Sequence, residues 1–264
     1  MLQLENIRKT FYKGTPNEKV ALDGLSLTLN DGDFVTVIGG NGAGKSTMLN
    51  AIAGTFPIDR GRILIDGEDI TRLPEHERAR FLGRVFQDPM MGTAADMIIE
   101  ENLSLASLRG ERRRLRWAIS PADREEYRRL LAHLELGLED RLSHKVGLLS
   151  GGQRQALTLL MAAMEQPKLL MLDEHTAALD PRTAERVLQL TDRFVTENGL
   201  TALMVTHNMR DAIAHGNRII MMNAGKVILD IAGEEKRHLT VEDLLHAFSA
   251  STETEFANDR ALLG

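Results

Sequence analysis

Apolar and polar positions in the first part of the chain follow strand spacing and then helix spacing. The leucines within 25–29 alternate with polar residues, which predicts a strand with one buried face. A mostly apolar strand is predicted over 34–38, and a glycine-rich loop over 39–44 leads from it into a helix over 45–53. Gly54 would end this helix, because glycine readily adopts the left-handed backbone of a helix terminus. A strand, a loop and a helix in this order indicate an α/β fold.

The pattern changes over about 89–166, where strand signals fade and charged residues recur at helical spacing. Ser120 before Pro121 is typical of a helix start, because serine caps and proline tolerates the first turn. This stretch therefore predicts a helical subdomain.

After residue 167 strands and helices alternate again. The predicted elements are strands over 168–172, 201–206, 218–222 and 227–231, and helices over 181–197, 208–214 and 241–248. We predict one α/β domain over 1–248 with the helical subdomain of about 89–166 inserted into it. The remaining residues, 249–264, are predicted to form a loosely ordered tail.

Composition narrows the class of protein. The chain has 264 residues, of which 43% are hydrophobic and 27% charged, which is typical of a globular protein that buries a core. The net charge of −6 argues against a nucleic-acid partner. The chain has no cysteine, which excludes disulfides and thiolate metal sites. The longest apolar run, 156–164, is about half the length that a membrane-spanning helix needs.

The glycine-rich loop carries the most specific motif in the chain. It matches G-x-x-x-x-G-K-[ST] between a strand and a helix, through residues Gly39, Gly40, Asn41, Gly42, Ala43, Gly44, Lys45 and Ser46, and Thr47 follows. Glycines let backbone N–H groups converge on an anion, and the helix N-terminus adds positive potential. Lys45 can contact the outer phosphates of a nucleotide, and the Ser46 hydroxyl can bind Mg²⁺.

Two carboxylates follow the apolar strand over 169–172. Ligands of open α/β sheets lie at the carboxyl ends of the strands, so Asp173 is a candidate for holding Mg²⁺. The adjacent Glu174 could polarise a water molecule for in-line attack on a γ-phosphate. Without the glycine-rich loop, such a run would indicate only a strand that leaves the core.

Two further polar residues follow predicted strands. His207 comes after the strand over 201–206, and Gln87 follows a short strand that ends near residue 85. A strand-end histidine can act in catalysis, whereas an amide can contact both a metal and an attacking water. Each signal is weak by itself.

A second anion-binding helix start lies at Ser150, Gly151, Gly152 and Gln153. Serine can cap the helix, and glycines permit close approach of the backbone to an anion. The residues alone leave open whether the anion belongs to the same nucleotide, and a plain helix cap is the alternative.

In order and spacing these motifs resemble the nucleotide-binding subunit of an ABC transporter, over about residues 2–248. The loop 39–47 resembles the family's Walker A motif, and 169–174 resembles Walker B with its catalytic glutamate. Gln87 lies where the family has its Q-loop, 149–153 matches the signature sequence, and 178–180, ending in Asp180, resembles the D-loop. His207 resembles the switch histidine.

This resemblance implies a P-loop NTPase core, with a mostly parallel sheet, an antiparallel β part at the N-terminus and the helical insertion. It implies ATP and Mg²⁺ as ligands and a dimer of two nucleotide-binding subunits, in which the signature of one chain meets the nucleotide held by the other. It also implies transmembrane permease subunits and a peripheral position at the cytoplasmic face of the inner membrane. An aromatic residue near the N-terminus would stack on adenine, and Phe11 aligns better than Tyr12.

The chain departs from many relatives at two positions, Ala156 after Gln-Arg-Gln and His175 after the glutamate. Neither departure removes a catalytic group, so hydrolysis is expected.

Two other stretches are candidates for contact with a membrane subunit, lipid or an acidic partner. Met90 and Met91 lie beyond Gln87, where the family receives a helix of the membrane subunit. The arginine-rich stretch 109–117 could meet lipid head groups or an acidic partner, or form a solvated loop.

Three functions remain from the sequence. The first is a transport ATPase, favoured as a bacterial importer of a small solute such as an amino acid, with a separate extracytoplasmic substrate-binding protein; an exporter is its variant. The second is a non-transport ABC ATPase with a mechanical or scaffold role. The third, a nucleotide binder without turnover, is disfavoured by Glu174 and His207.

Overall fold

The computed structural model describes residues 1–110 and 119–250. The strands, in chain order, are β1 (Leu2–Phe11), β2 (Lys19–Leu29), β3 (Phe34–Gly39), β4 (Arg60–Ile65), β5 (Glu68–Asp69), β6 (Leu82–Val85), β7 (Leu169–Asp173), β8 (Ala202–Val205), β9 (Arg218–Asn223) and β10 (Lys226–Ala232). The α-helices are α1 (Lys45–Ala53), α2 (Glu75–Arg78), α3 (Ile99–Ser107), α4 (Pro121–Ala132), α5 (Gly151–Ala163), α6 (Pro181–Glu197), α7 (Met209–Ala214) and α8 (Gly233–Arg237). Residues 241–250 are also helical.

The chain forms two compact units. Of the described residues, the first unit contains Met1–Leu73 and 203–250, and the second contains those within Pro74–Ala202. The fold class is the predicted one, α/β with one antiparallel sheet and other strands that pair mostly in parallel.

In the first unit, an antiparallel sheet has the strand order β2-β1-β4-β5. The alternating leucines at the end of β2 are buried, and the polar residues between them are exposed, which confirms the half-buried strand.

The other strands of the first unit follow the order β10-β9-β3-β8. β3 pairs with β9 in parallel, and β9 pairs with β10 in antiparallel. The first five residues of β3 are buried, as expected for a strand covered on both faces. β3 ends in the glycine-rich loop, and α1 has the predicted bounds, with Gly54 in the left-handed conformation at its C-cap.

In the second unit, β6 and β7 pair in parallel. Helices α3, α4 and α5 enclose an apolar cluster that includes Leu103, Leu131 and Leu157, and Phe194 of α6 packs against it. Ser120 and Asp123 form a reciprocal capping box, so α4 begins at Pro121 as predicted.

The elements that the pattern did not predict are mostly short. β5, α2 and α8 have between two and five residues, too few to show a hydrophobic period. The last predicted helix begins at residue 241 and reaches residue 250, the end of the described chain. The predicted tail therefore lies almost wholly outside the described residues.

Candidate nucleotide-binding site

The loop between β3 and α1 has a backbone that requires glycine. Gly39, Gly42 and Gly44 have φ values of 152°, 83° and 102°. A Cβ atom on Gly39 would lie 2.3 Å from the carbonyl oxygen of Met222, and one on Gly44 would lie 2.6 Å from that of Ala21. Any side chain at these two positions would displace backbone, so the cradle depends on bare glycine.

Lys45 is buried at the start of α1, where its Nζ donates hydrogen bonds to the carbonyl oxygens of Gly39 (2.7 Å) and Gly40 (3.1 Å). The ammonium group thus lies over its own loop, beside the positive end of α1. Ala43 and Gly44 are buried, Thr47 is half-buried, and Asn41, Gly42 and Ser46 are exposed. A concave backbone, a lysine and an exposed hydroxyl suit a polyphosphate with its Mg²⁺.

The same unit contains the other residues assigned to the N-terminal and switch regions. The rings of Phe11 and Phe56 pack edge to face with their centroids 5.3 Å apart, and the ammonium nitrogen of Lys9 lies 4.9 Å from the centroid of the Phe56 ring. Tyr12 is 72% exposed and has a positive φ of 53°. Phe11 is therefore held by neighbouring side chains, and Tyr12 projects into solvent.

His207 is exposed just after β8. The turn around it is fixed, because the Thr206 N–H donates to the carbonyl oxygen of Val37 in β3 (3.1 Å) and Asn208 caps α7. His207 and the phosphate loop thus belong to one compact unit.

The second unit brings the carboxylates to the end of β7. Asp173 is the last residue of β7, and its Oδ2 lies 3.5 Å from an Nη atom of Arg84 on the neighbouring strand β6. Both side chains are mostly buried, with 17% and 15% exposure. The sequence did not predict a role for Arg84, because its position beside Asp173 follows from strand register. Glu174, half-buried, has a left-handed backbone with φ of 44°, which is unusual for a residue other than glycine.

The signature segment forms the start of α5. The Ser150 Oγ accepts from the Gln153 N–H (3.3 Å), and Gln153 Oε1 accepts from the Ser150 N–H (3.2 Å). Neither Gly151 nor Gly152 has a positive φ, so neither is needed for an unusual backbone conformation. A Cβ on Gly152 would lie 2.3 Å from Cγ2 of Thr183, so this glycine lets α5 approach α6 closely. The sequence predicted either an anion site or a plain helix cap here, and it did not predict the close contact with α6.

Asp180 lies at the other side of this contact. Its Oδ1 accepts from the Thr183 N–H (3.1 Å) and caps α6. Hydrogen bonding by Thr183 lowers the pKa of Asp180 below its ordinary value. A Cβ on Gly151 would lie 3.3 Å from Leu179. The signature and the Asp180 segment are therefore neighbours within this unit.

Gln87 is exposed in the turn after β6. The preceding residue, Phe86, accepts a long hydrogen bond from the buried amide Nε2 of Gln155 (3.5 Å). Arg154 donates to the carbonyl oxygens of Gly147 and Leu149, and its Nη1 lies 2.8 Å from the sulfur of Met90. Helix α5 thus supports the Gln87 turn. Only the Gln-Arg-Gln stretch after the glycines hinted at these two side chains.

Only the beginning of the arginine-rich stretch lies in the described chain. Burial lowers the pKa of Arg109, and the neighbouring carboxylate of Glu165 opposes that effect. Arg109 is half-buried, and its Nη2 atom is buried. The other arginines of the stretch, Arg112, Arg113, Arg114 and Arg116, lie outside the described residues. Within residues 1–110 and 119–250, no helix has the length and apolar character to cross a membrane.

The chain is similar to known ATP-binding proteins along nearly its whole length. It is 44% identical over 248 residues to a tyrosine transport ATP-binding protein of Clostridioides difficile, covering 94% of this chain and 98% of that protein. It is 34% identical over 230 residues to the spermidine/putrescine import ATP-binding protein PotA of Haemophilus ducreyi, covering 87% of this chain but only 57% of that protein's length.

A solved structure has the same fold. The structure, a dimeric ATP-binding cassette in a post-hydrolysis state bound to ADP and Pi, matches with a TM-score of 0.74 and 31% identity, covering 88% of this chain and 98% of its own. The family model described as ABC transporter matches residues 22–177. The chain therefore belongs to the ABC transporter family, as an ATP-binding subunit that hydrolyses ATP.

Proposed function

We propose that this ATPase powers the uptake of an amino acid by a bacterial ABC importer. The observation that carries the proposal is the near full-length similarity to a protein named for tyrosine transport, at 44% identity. An amino acid, with tyrosine as the first candidate, is therefore the substrate class to test. The transmembrane permease subunits would form the pathway, and a separate extracytoplasmic binding protein would deliver the substrate. The chain would sit at the cytoplasmic face of the inner membrane as a peripheral subunit.

The phosphate loop is proposed to bind ATP. Backbone N–H groups of the loop, among them those of Gly42 and Gly44, would donate to the phosphate oxygens. Lys45 would exchange its hydrogen bonds with loop carbonyls for bonds to the outer phosphates. Phe11 would stack on the adenine ring.

Mg²⁺ would be held by Ser46, Gln87 and Asp173, which offer the oxygen ligands that this cation prefers. Bound Mg²⁺ neutralises charge on the outer phosphates. The Arg84 pair with Asp173 supports the assignment, because it orients that carboxylate at the end of β7.

Glu174 is proposed to orient and polarise the attacking water, and His207 to contact the γ-phosphate. The half-buried position of Glu174 supports a role in which bulk water is excluded.

The signature segment is proposed to complete the site of a second copy of the chain. Ser150, Gly151 and Gly152 form a capped helix start, which suits a phosphate group, and Gln153 and Asp180 lie beside it. In a head-to-tail dimer, ATP would lie between the phosphate loop of one chain and this segment of the other.

The methionine turn, Pro89–Gly92, is proposed as a contact for the permease. Met90 is 43% exposed and Met91 is 70% exposed, and flexible methionine side chains adapt to varied apolar partners.

Reconstitution tests the proposal. The tagged chain would be purified with its membrane partners and placed in proteoliposomes with the cognate binding protein, and substrate-stimulated ATPase activity would be measured for tyrosine, methionine and putrescine. We expect stimulation by an amino acid. Stimulation by the polyamine alone, outward movement of the substrate or a wholly soluble complex would overturn the assignment. Met91→Glu should weaken assembly with the permease, and Leu245→Glu, at another exposed apolar residue, serves as the matched control.

A further inference from the structure

The turn that carries Glu174 is held in an unfavourable backbone conformation. Glu174 has φ of 44°, in the left-handed region that residues other than glycine rarely adopt. The Ala177 N–H donates to the Glu174 carbonyl oxygen at 3.0 Å, so His175 and Thr176 occupy the centre of a turn. A strained conformation at this site persists only if the surrounding structure holds it.

His175 connects this turn to α6. Its side chain is buried, with 2% exposure, and its Nε2 lies 3.1 Å from Oγ1 of Thr191, which is fully buried. The Thr191 hydroxyl donates its single hydrogen to the carbonyl oxygen of Val187 at 2.8 Å. It must therefore accept from His175, which places a hydrogen on Nε2 of the imidazole.

This chain of two hydrogen bonds fixes the turn at its first central residue. It runs from His175 through Thr191 to the backbone of Val187, inside a helix whose start is capped by Asp180. Because both side chains are buried, the donor on His175 has no access to solvent if the hydroxyl is removed.

We propose that His175 is a positioning residue for hydrolysis: through Thr191 it holds the Glu174 turn so that the Glu174 carboxylate is aimed at the attacking water. The inference rests on the proposed role of Glu174 as the group that polarises this water. His175 does not touch the reacting atoms. It acts by fixing the geometry, because small displacements of a catalytic group lower rates strongly.

The test compares two substitutions that differ in one hydroxyl. Thr191→Val keeps the shape of the side chain and removes the hydroxyl, whereas Thr191→Ser keeps the hydroxyl. Steady-state ATPase activity and ATP affinity would be measured for the full-length chain. We expect Thr191→Val to lower kcat roughly tenfold, the size expected for one buried hydrogen bond, with unchanged KM for ATP. Thr191→Ser should retain most of kcat. Thr196→Val, at an exposed threonine of the same helix, is the control.

A second pair of variants tests the histidine. His175→Gln keeps an N–H donor at a similar reach, and His175→Leu does not, so the first should retain more of kcat than the second. In the His175→Leu background, Thr191→Val should add little further loss, because the two residues act as one unit. Equal kcat for Thr191→Val and Thr191→Ser, or a parallel loss of ATP affinity, would overturn the proposal.

The Glu174→Gln variant separates this inference from the function on which it rests. If Glu174→Gln leaves turnover unchanged, the role of Glu174 is wrong. If Glu174→Gln abolishes turnover but Thr191→Val leaves kcat unchanged, only the positioning role of His175 fails.

Discussion

The close contact between Gly152 and Thr183 predicts that Gly152→Ala destabilises the fold when residue 183 is threonine and stabilises it when residue 183 is serine. A methyl group added by Gly152→Ala would lie 2.3 Å from Cγ2 of Thr183. Overpacking of this kind typically costs about 2 kcal/mol. Alanine readily adopts the helical backbone of Gly152 and has fewer conformations than glycine in the unfolded chain, which stabilises the fold by about 0.7 kcal/mol. The net result is a loss of about 1.3 kcal/mol.

Thr183→Ser removes the Cγ2 methyl and leaves room for the new one. In that background Gly152→Ala should stabilise the chain by about 0.7 kcal/mol, because only the unfolded-state term remains. The backbone N–H of residue 183 still donates to Oδ1 of Asp180 in every variant, so the cap that Asp180 provides to α6 is unchanged.

Thermal unfolding without nucleotide measures both effects, because bound nucleotide would add its own stabilisation. For a chain of this size, Gly152→Ala alone should lower Tm by about 4 °C, and in the Thr183→Ser background it should raise Tm by about 2 °C. The same Tm change in both backgrounds would refute the reasoning, since it would mean that Thr183 does not limit the space at Gly152.

Three further predictions follow from the phosphate loop and the cap of α6. Gly44→Ala should lower Tm by several degrees more than Gly42→Ala. Both glycines have positive φ, but the new Cβ would meet the backbone carbonyl of Ala21 at position 44 and only the flexible end of a lysine side chain at position 42. Equal changes in Tm would contradict this prediction. Lys45→Ala should weaken ATP binding roughly 10- to 100-fold in titration calorimetry, because a charged contact with the phosphates is lost. An unchanged affinity for ATP would argue against the loop as the phosphate site. Because the pKa of Asp180 is lowered, its ionised form stabilises the fold above the ordinary pKa of aspartate, and this contribution is lost as the pH falls through the lowered pKa. The difference in Tm between the unsubstituted chain and Asp180→Asn should therefore shrink below a pH of about 4. A difference in Tm that does not change with pH would contradict this prediction.

Local signals predicted much of this molecule. The helix Pro181–Glu197 has the predicted bounds, because Asp180 and Pro181 specify its start and Asn198 with Gly199 its end. The phosphate loop was identified because its function requires glycines at fixed spacing, and three of them adopt the positive φ that explains the spacing.

The features that the sequence did not predict depend on tertiary contacts. Residue 152 must be glycine because the Cγ2 methyl group of Thr183, on another helix, leaves no room for a side chain. The pairing of Arg84 with Asp173 follows from strand register. The sequence marks His175 only as a departure from relatives, because nothing local indicates that it bonds to Thr191. Side chains that meet across elements carry no periodic signal.

In the proposed mechanism, ATP joins two copies of this chain through the phosphate loop of one and the signature segment of the other. Its most direct test is the molar mass of the Glu174→Gln chain by light scattering, with saturating ATP and Mg²⁺. We expect the mass to rise from 29.3 kDa to twice that value. When Gly151→Trp is added, the mass should return to that of the single chain without loss of ATP binding. A chain that binds ATP and stays at 29.3 kDa, or a dimer that Gly151→Trp leaves intact, would contradict it.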